Sequence, residues 1–113
     1  MEFRHASVNG KATYELAEEA KHNLELCLEC CAAELDTFEV NRNQLAPAPF
    51  FFERATLLLK KQKRWRELEN IALQYLVALD LYKNTTPPNA AKVWLSPKVE
   101  KIRQRLAQAQ SFL

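Results

Sequence analysis

A chain of 113 residues with 48% hydrophobic and 27% charged side chains has the balance of one folded domain, and it leaves no room for a separate catalytic domain beside the core. One glycine and five prolines supply few tight left-handed turns, which excludes a fold of many short hairpinned strands and favours a few long helices. The formal net charge of +2 conceals a segregation: residues 12–40 hold eight acids against Lys21 alone, a balance of −7, whereas residues 41–113 hold thirteen Lys and Arg against five acids, a balance of +8.

Residues 1–12 read as a polar leader, without the apolar stretch and small-residue cleavage site of a secretory signal. Thr13 is the expected N-cap of an acidic helix over 13–40, because Glu15, Glu18 and Glu19 then fall near its positive end. Within it Ala20, Leu24, Cys27, Cys31, Leu35 and Phe38 recur at steps of three and four, a single buried stripe. The run NRNQLAPAP is a linker, and Pro49 suits the first turn of the helix that follows. That helix runs from Phe50 to about Gln62 and turns Phe51, Phe52, Ala55, Leu58 and Leu59 inward. The next, Trp65 to about Tyr82, buries Trp65, Leu68, Ala72, Tyr75, Leu76 and Leu79. After NTTPPNAAK, Ser96 followed by Pro97 opens a last helix over 96–112 that buries Val99, Ile102, Leu106, Ala109 and Leu113. The expected fold is all-α, a four-helix array or bundle with no sheet. The longest uncharged run near the centre, Ile71 to Leu79, is far shorter than the ~20 residues of a membrane span, so no membrane partner is expected.

The hairpin of residues 50–82 resembles a tetratricopeptide-like repeat. In that family two antiparallel helices meet at a turn of the type KQG-acid-aromatic, and Lys61, Gln62, Lys63, Arg64 and Trp65 stand in those places, with Phe52 at the early aromatic position. Large and small residues exchange places in the second helix at Leu68, Ala72 and Tyr75, which implies an altered helix crossing. A second copy about 34 residues away is not visible. The resemblance implies a protein-interaction module of one hairpin, braced by the first and last helices.

No set of nucleophile, base, metal ligands and phosphate loop emerges, so the expected function is non-enzymatic, without cofactor or metal: a small adaptor that binds a protein partner or a second copy of itself. Neighbours on a helix diverge by about 100°, so Phe50, Phe51 and Phe52 are not expected to enter one core together. These three, with Tyr75, Tyr82 and Trp94, are the candidate contacts for a protein partner, since exposed aromatics anchor interfaces. Cys27, Cys30 and Cys31 share one sector of one helix, where a closed zinc site lacks its fourth ligand and a disulfide is geometrically poor. They read as reduced core residues, which suits a cytoplasmic location. His22 lies on a face with Glu18 and Glu25 that continues to Glu29 and Asp36, the pattern of a solvated surface.

Nucleic acid is the alternative partner. Lys60, Lys61, Lys63, Arg64 and Arg66 cluster around Trp65, and Lys98, Lys101 and Arg105 form a stripe on the last helix, a pattern that releases counterions from phosphates. The isoelectric point of about 8.5 falls short of a strong nucleic-acid footprint. The two charge classes make a further expectation: Glu25, Glu29 and Asp36 lie near some of Lys60, Lys61, Lys98, Lys101 and Arg105, within the fold or across a homodimer.

Overall fold

The structure, a computed structural model, describes residues 6–40, 46–85 and 92–113. Helices dominate, as the composition requires: α1 (Ala17–Ala20), α2 (Leu24–Val40), α3 (Phe50–Lys61), α4 (Trp65–Thr85) and α5 (Pro97–Phe112). Three of the expected starts and stops have visible causes. Pro49 caps α3 and its carbonyl accepts the Glu53 N–H at 2.8 Å, so the proline gives up a donor that the first turn does not need. Ser96 caps α5 through its hydroxyl, which accepts the Lys98 N–H at 3.2 Å, with Pro97 in the first turn. Between α3 and α4, Lys63 adopts a left-handed φ of 56°, the conformation that lets Arg64 N–H return to the Leu59 carbonyl and closes the helix end.

The N-terminal third departs from expectation in two ways. Residues 6–12 are not a featureless leader: β1 (Ser7–Val8) and β2 (Lys11–Ala12) pair antiparallel across Asn9 and Gly10, whose φ values of 51° and 81° are those of a tight hairpin turn. This corrects the expectation of no sheet. The single helix over 13–40 is also interrupted. Thr13–Leu16 is a 3-10 turn leading into α1, the helix is interrupted at residues 21–23, and Asn23 restarts it by accepting the Leu26 N–H on its side-chain oxygen at 3.1 Å. Thr13 is buried rather than a cap, and its hydroxyl donates to Glu34 at 2.7 Å. The Arg54 guanidinium of α3 donates to the Lys21 carbonyl at 3.0 Å and holds the break against the core.

α3 lies at the centre, packed by α2, α4 and α5, and this position decides the core. Phe51 and Phe52 are both buried, as are Ala55, Thr56 and Leu59, because neighbours covered the several faces onto which they diverge. Phe52 packs on Tyr75 with ring centroids 4.6 Å apart, and the Tyr75 hydroxyl donates to the Pro47 carbonyl at 2.8 Å. The core stripes of α4 and α5 are buried at Leu68, Ala72, Tyr75, Leu79, Val99, Ile102 and Ala109, while Trp65 and Leu76 are half-buried and Leu113 is exposed. Trp65 stacks on Phe112 at 4.7 Å, clamping the last turn of α5 to the start of α4. No helix among the described residues is long and apolar enough to cross a membrane.

Candidate functional site

Two surfaces stand apart from an ordinary solvated exterior. The first is an apolar groove of about 390 Å³ where the C-terminal half of α2 and the outer face of α4 diverge. Leu35 and Phe38 form one wall, Leu73, Val77 and Leu81 the other, and Phe38, Ala78 and Tyr82 pack together as a small satellite of the core. On α4, Leu73, Val77 and Leu81 recur every four residues and so make one row about 12 Å long, with relative exposures of 42%, 61% and 38%. A row of branched aliphatics this open beside the buried Phe38 is the kind of surface that a partner covers.

One acid, Glu39, lines the groove directly; exposed Asp36 stands about 100° round α2 from Leu35, with exposed Glu29 two turns before it on the same outward face. On the far edge of α4, exposed Asp80 lies within about 60° of Val77. Arg66 stands beyond the Leu73 end, and Arg64 is held by Glu67 through Nε at 2.9 Å and a second nitrogen at 2.5 Å. That bidentate contact raises the Arg64 pKa and lowers that of Glu67.

The second surface is a basic groove of about 440 Å³ lined by Lys60 from α3 and Lys101, Gln104, Arg105 and Gln108 from α5. Arg105 is anchored beneath it: one nitrogen donates to the Glu53 carbonyl at 2.6 Å, to the Glu53 carboxylate at 2.9 Å and to the Thr56 hydroxyl at 3.3 Å. Both partners of this ion pair are largely removed from water, with side-chain exposures of 13% and 8%. Helix α5 covers that flank of α3, which is why a glutamate inside the run FFFERATLLL is buried rather than solvated.

The structure redistributes the expected contact residues. Phe51, Phe52, Tyr75 and Tyr82 are buried within their own chain and offer no surface, a correction that follows from the central position of α3 and the wrapping of α4 around it. Phe50 is half-buried, set edge-on to Phe51 at 5.1 Å with the Lys98 ammonium 5.9 Å from its ring. Trp94 is half-buried against Tyr82, and Lys83 lies 5.6 Å over its ring. The expected basic cluster divides. Lys60, Lys101 and Arg105 meet in the basic groove; Lys61, Lys63 and Arg66 are exposed near the turn; Arg64 is tied to Glu67, and Lys98 sits with Phe50.

Within one chain, the expected pairing of the two charge classes is not formed. Among the described residues, no ion pair joins Glu25, Glu29 or Asp36 to Lys60, Lys61, Lys98, Lys101 or Arg105; the pairs are local or buried, Lys21 with Glu18, Arg64 with Glu67 and Arg105 with Glu53. Glu25 acts only at longer range, raising the pKa of Arg64. The reason is geometric: α5 and the basic side of α3 lie on the opposite flank of the central helix from α2, so the fold keeps the opposite charges apart.

The cysteines are free and buried. Cys27 donates to the Phe51 carbonyl at 3.2 Å, burial pushes Cys30 up to about 11, and Cys31 is raised strongly because its thiol donates to Cys27. The Cys27 pKa is lowered by that same donor and by Arg54, yet a sulfur without exposed surface meets no incoming electrophile. No group of three or more His, Cys, Asp or Glu among the described residues could hold a metal ion.

The row Leu73, Val77, Leu81 lies outside the core stripe of α4, and none of the three is among the contact residues expected from the sequence. Its signal in the sequence is a second apolar stripe on α4 beside the core stripe. Compared with known proteins, the chain matches no family model, no curated protein and no solved structure.

Proposed function

We propose that this protein is a non-enzymatic interaction module, a small adaptor that receives a helix of another protein in the groove between α2 and α4. The observation that carries this reading is the open row of Leu73, Val77 and Leu81 facing Leu35 and Phe38 across about 390 Å³. Helix-in-groove recognition needs a rigid apolar trough, and two helices fixed by a shared core supply one a little over two turns long. The tetratricopeptide-like hairpin reading is compatible with this role, with α3 and α4 as the hairpin and α2 and α5 as its braces. The same reading puts the module in the cytoplasm, where three unpaired buried thiols stay reduced. Selection of a helical peptide library on the wild type and on Val77→Arg tests it. Amphipathic helices should enrich on the wild type and disappear on the variant; enrichment that ignores Val77→Arg would end the reading.

The basic groove supports a second reading, binding of nucleic acid. Lys60, Lys101 and Arg105 converge there with two glutamine amides and no carboxylate in the lining. A gel-shift titration at low and moderate salt, with Lys60→Ala and Lys101→Ala together as control, should show salt-sensitive binding lost in the double variant if this reading holds.

A further inference from the structure

The basic groove leads to an aromatic ring beyond its own lining. Along α5, Lys101, Arg105, Gln108 and Phe112 follow at steps of four, three and four, so all four fall within about 60° of one helix face. Phe112 therefore stands one turn beyond Gln108 on that face, about 16 Å along the helix from Lys101. Its ring stacks on Trp65 with centroids 4.7 Å apart and planes 16° apart, and it is still 61% exposed, so the indole backs one face and much of the ring stays open. We infer that groove and ring together form one site for single-stranded nucleic acid, with phosphates over Lys60 and Lys101 and a base stacked on Phe112; this rests on the nucleic-acid reading above.

Charge is available along this path. No ion pair among the described residues engages Lys60 or Lys101. Helices α3 and α5 run in the same sense, Phe50 meeting Lys98 at their starts and Glu53 meeting Arg105 further on. The end of α3 and its exposed turn residues Lys61 and Lys63 therefore lie at the Phe112 end, where Trp65 follows the turn. Of the nearby acids, Glu53 is held by Arg105 and Glu67 by Arg64, while Glu100, about 100° round α5 from Lys101, accepts from Gln104 at 3.4 Å outside the lining. Arg105, tied down by Glu53 and Thr56, fixes the floor, and Lys60 and Lys101 supply the charge that meets phosphate. Lysines alone would suit any polyanion and would favour a duplex, whose charge is the denser. An open aromatic face one turn past the groove instead suits a strand whose bases are unpaired and free to stack.

Fluorescence anisotropy of labelled oligomers of about ten nucleotides, titrated with the full chain at low and moderate salt, tests this directly. The probes are an oligothymidylate, an abasic strand with the same phosphates and a duplex of equal length. The oligothymidylate should bind about tenfold tighter than the abasic strand and tighter than the duplex, the reverse of the order that charge density alone gives. All binding should weaken steeply with salt and be lost when Lys60→Ala and Lys101→Ala are combined. Phe112→Leu, which keeps an apolar cover over Trp65, should bring the oligothymidylate down to the level of the abasic strand and leave the abasic strand unchanged. Should that variant fail to fold, the comparison of the two strands on the wild type still decides. A duplex or abasic strand bound as tightly as the oligothymidylate, or a preference that survives Phe112→Leu, overturns the single-strand inference and leaves the nucleic-acid reading standing. Binding of none of the three overturns both. Displacement by a polyglutamate peptide at equal charge concentration reduces the site to a surface for any polyanion and overturns the inference as well.

Discussion

At the scale of single residues, the buried ion pair between Glu53 and Arg105 is the contact most exposed to mutation. Two long charged side chains are out of water, and each is satisfied by the other and by the Glu53 carbonyl and Thr56 hydroxyl. Glu53→Ala leaves a guanidinium buried without its counter-charge, so it should cost about 3–5 kcal/mol, readable as a lower urea midpoint. Glu53→Leu with Arg105→Met should recover much of that loss, because the apolar pair leaves no charge stranded. Glu34 behaves in the opposite sense. Its carboxyl is raised by burial, with the Thr13 hydrogen bond pulling it back only in part. The native state therefore holds the proton more tightly than the unfolded chain, and stability falls as pH rises from the ordinary carboxyl range through the raised native value. Glu34→Gln should flatten that slope and raise stability at neutral pH, as checked by thermal melts across the acidic range. The sequence showed where these residues stand; it did not show their partners, because Glu53 meets Arg105 and Thr13 meets Glu34 only after helices distant in sequence have docked.

At the scale of elements, much was legible, and the departures have local causes. Pro49 and the pair Ser96 and Pro97 mark helix starts that the backbone adopts. Asn9 and Gly10 between short paired segments carry the commonest hairpin signal, yet strands of two residues lack the alternation by which strands are recognised. The apolar stripe over residues 13–40 continues straight through the break at residues 21–23, so periodicity alone did not reveal that Asn23 restarts the helix. Only α3, surrounded by three helices, buries side chains that diverge by about 100°; that is why Phe51 and Phe52 both lie in the core while Phe50 before them is half-buried. The turn between α3 and α4 yields its own prediction. Lys63 holds a left-handed φ of 56°, where a β-carbon is strained and glycine is not. Lys63→Gly should raise stability by roughly 0.5–1 kcal/mol, and thermal denaturation would show it as a higher midpoint; a lower midpoint would mean that the lysine side chain contributes more than its backbone costs.

At the scale of the whole molecule, the fold separates the charges that the sequence had already segregated. The apolar groove was less legible than the charge, because its walls come from α2 and α4, which are far apart in the chain and diverge only in three dimensions. Along α2, Glu25 and Glu29 stand four residues apart on an exposed face, with Asp36 and Glu39 beyond, and like charges at this spacing repel. Salt should therefore raise the melting temperature modestly, since it screens repulsion within α2 more than it weakens the buried Glu53–Arg105 pair. A melting temperature that falls steadily with added sodium chloride would instead mean that attraction between the acidic and basic halves holds the fold together. Glu29→Lys sharpens the test. It places a cation one turn from Glu25 and should stabilise the helix by a few tenths of a kcal/mol at low salt, a gain that should vanish at high salt, where the pair is screened.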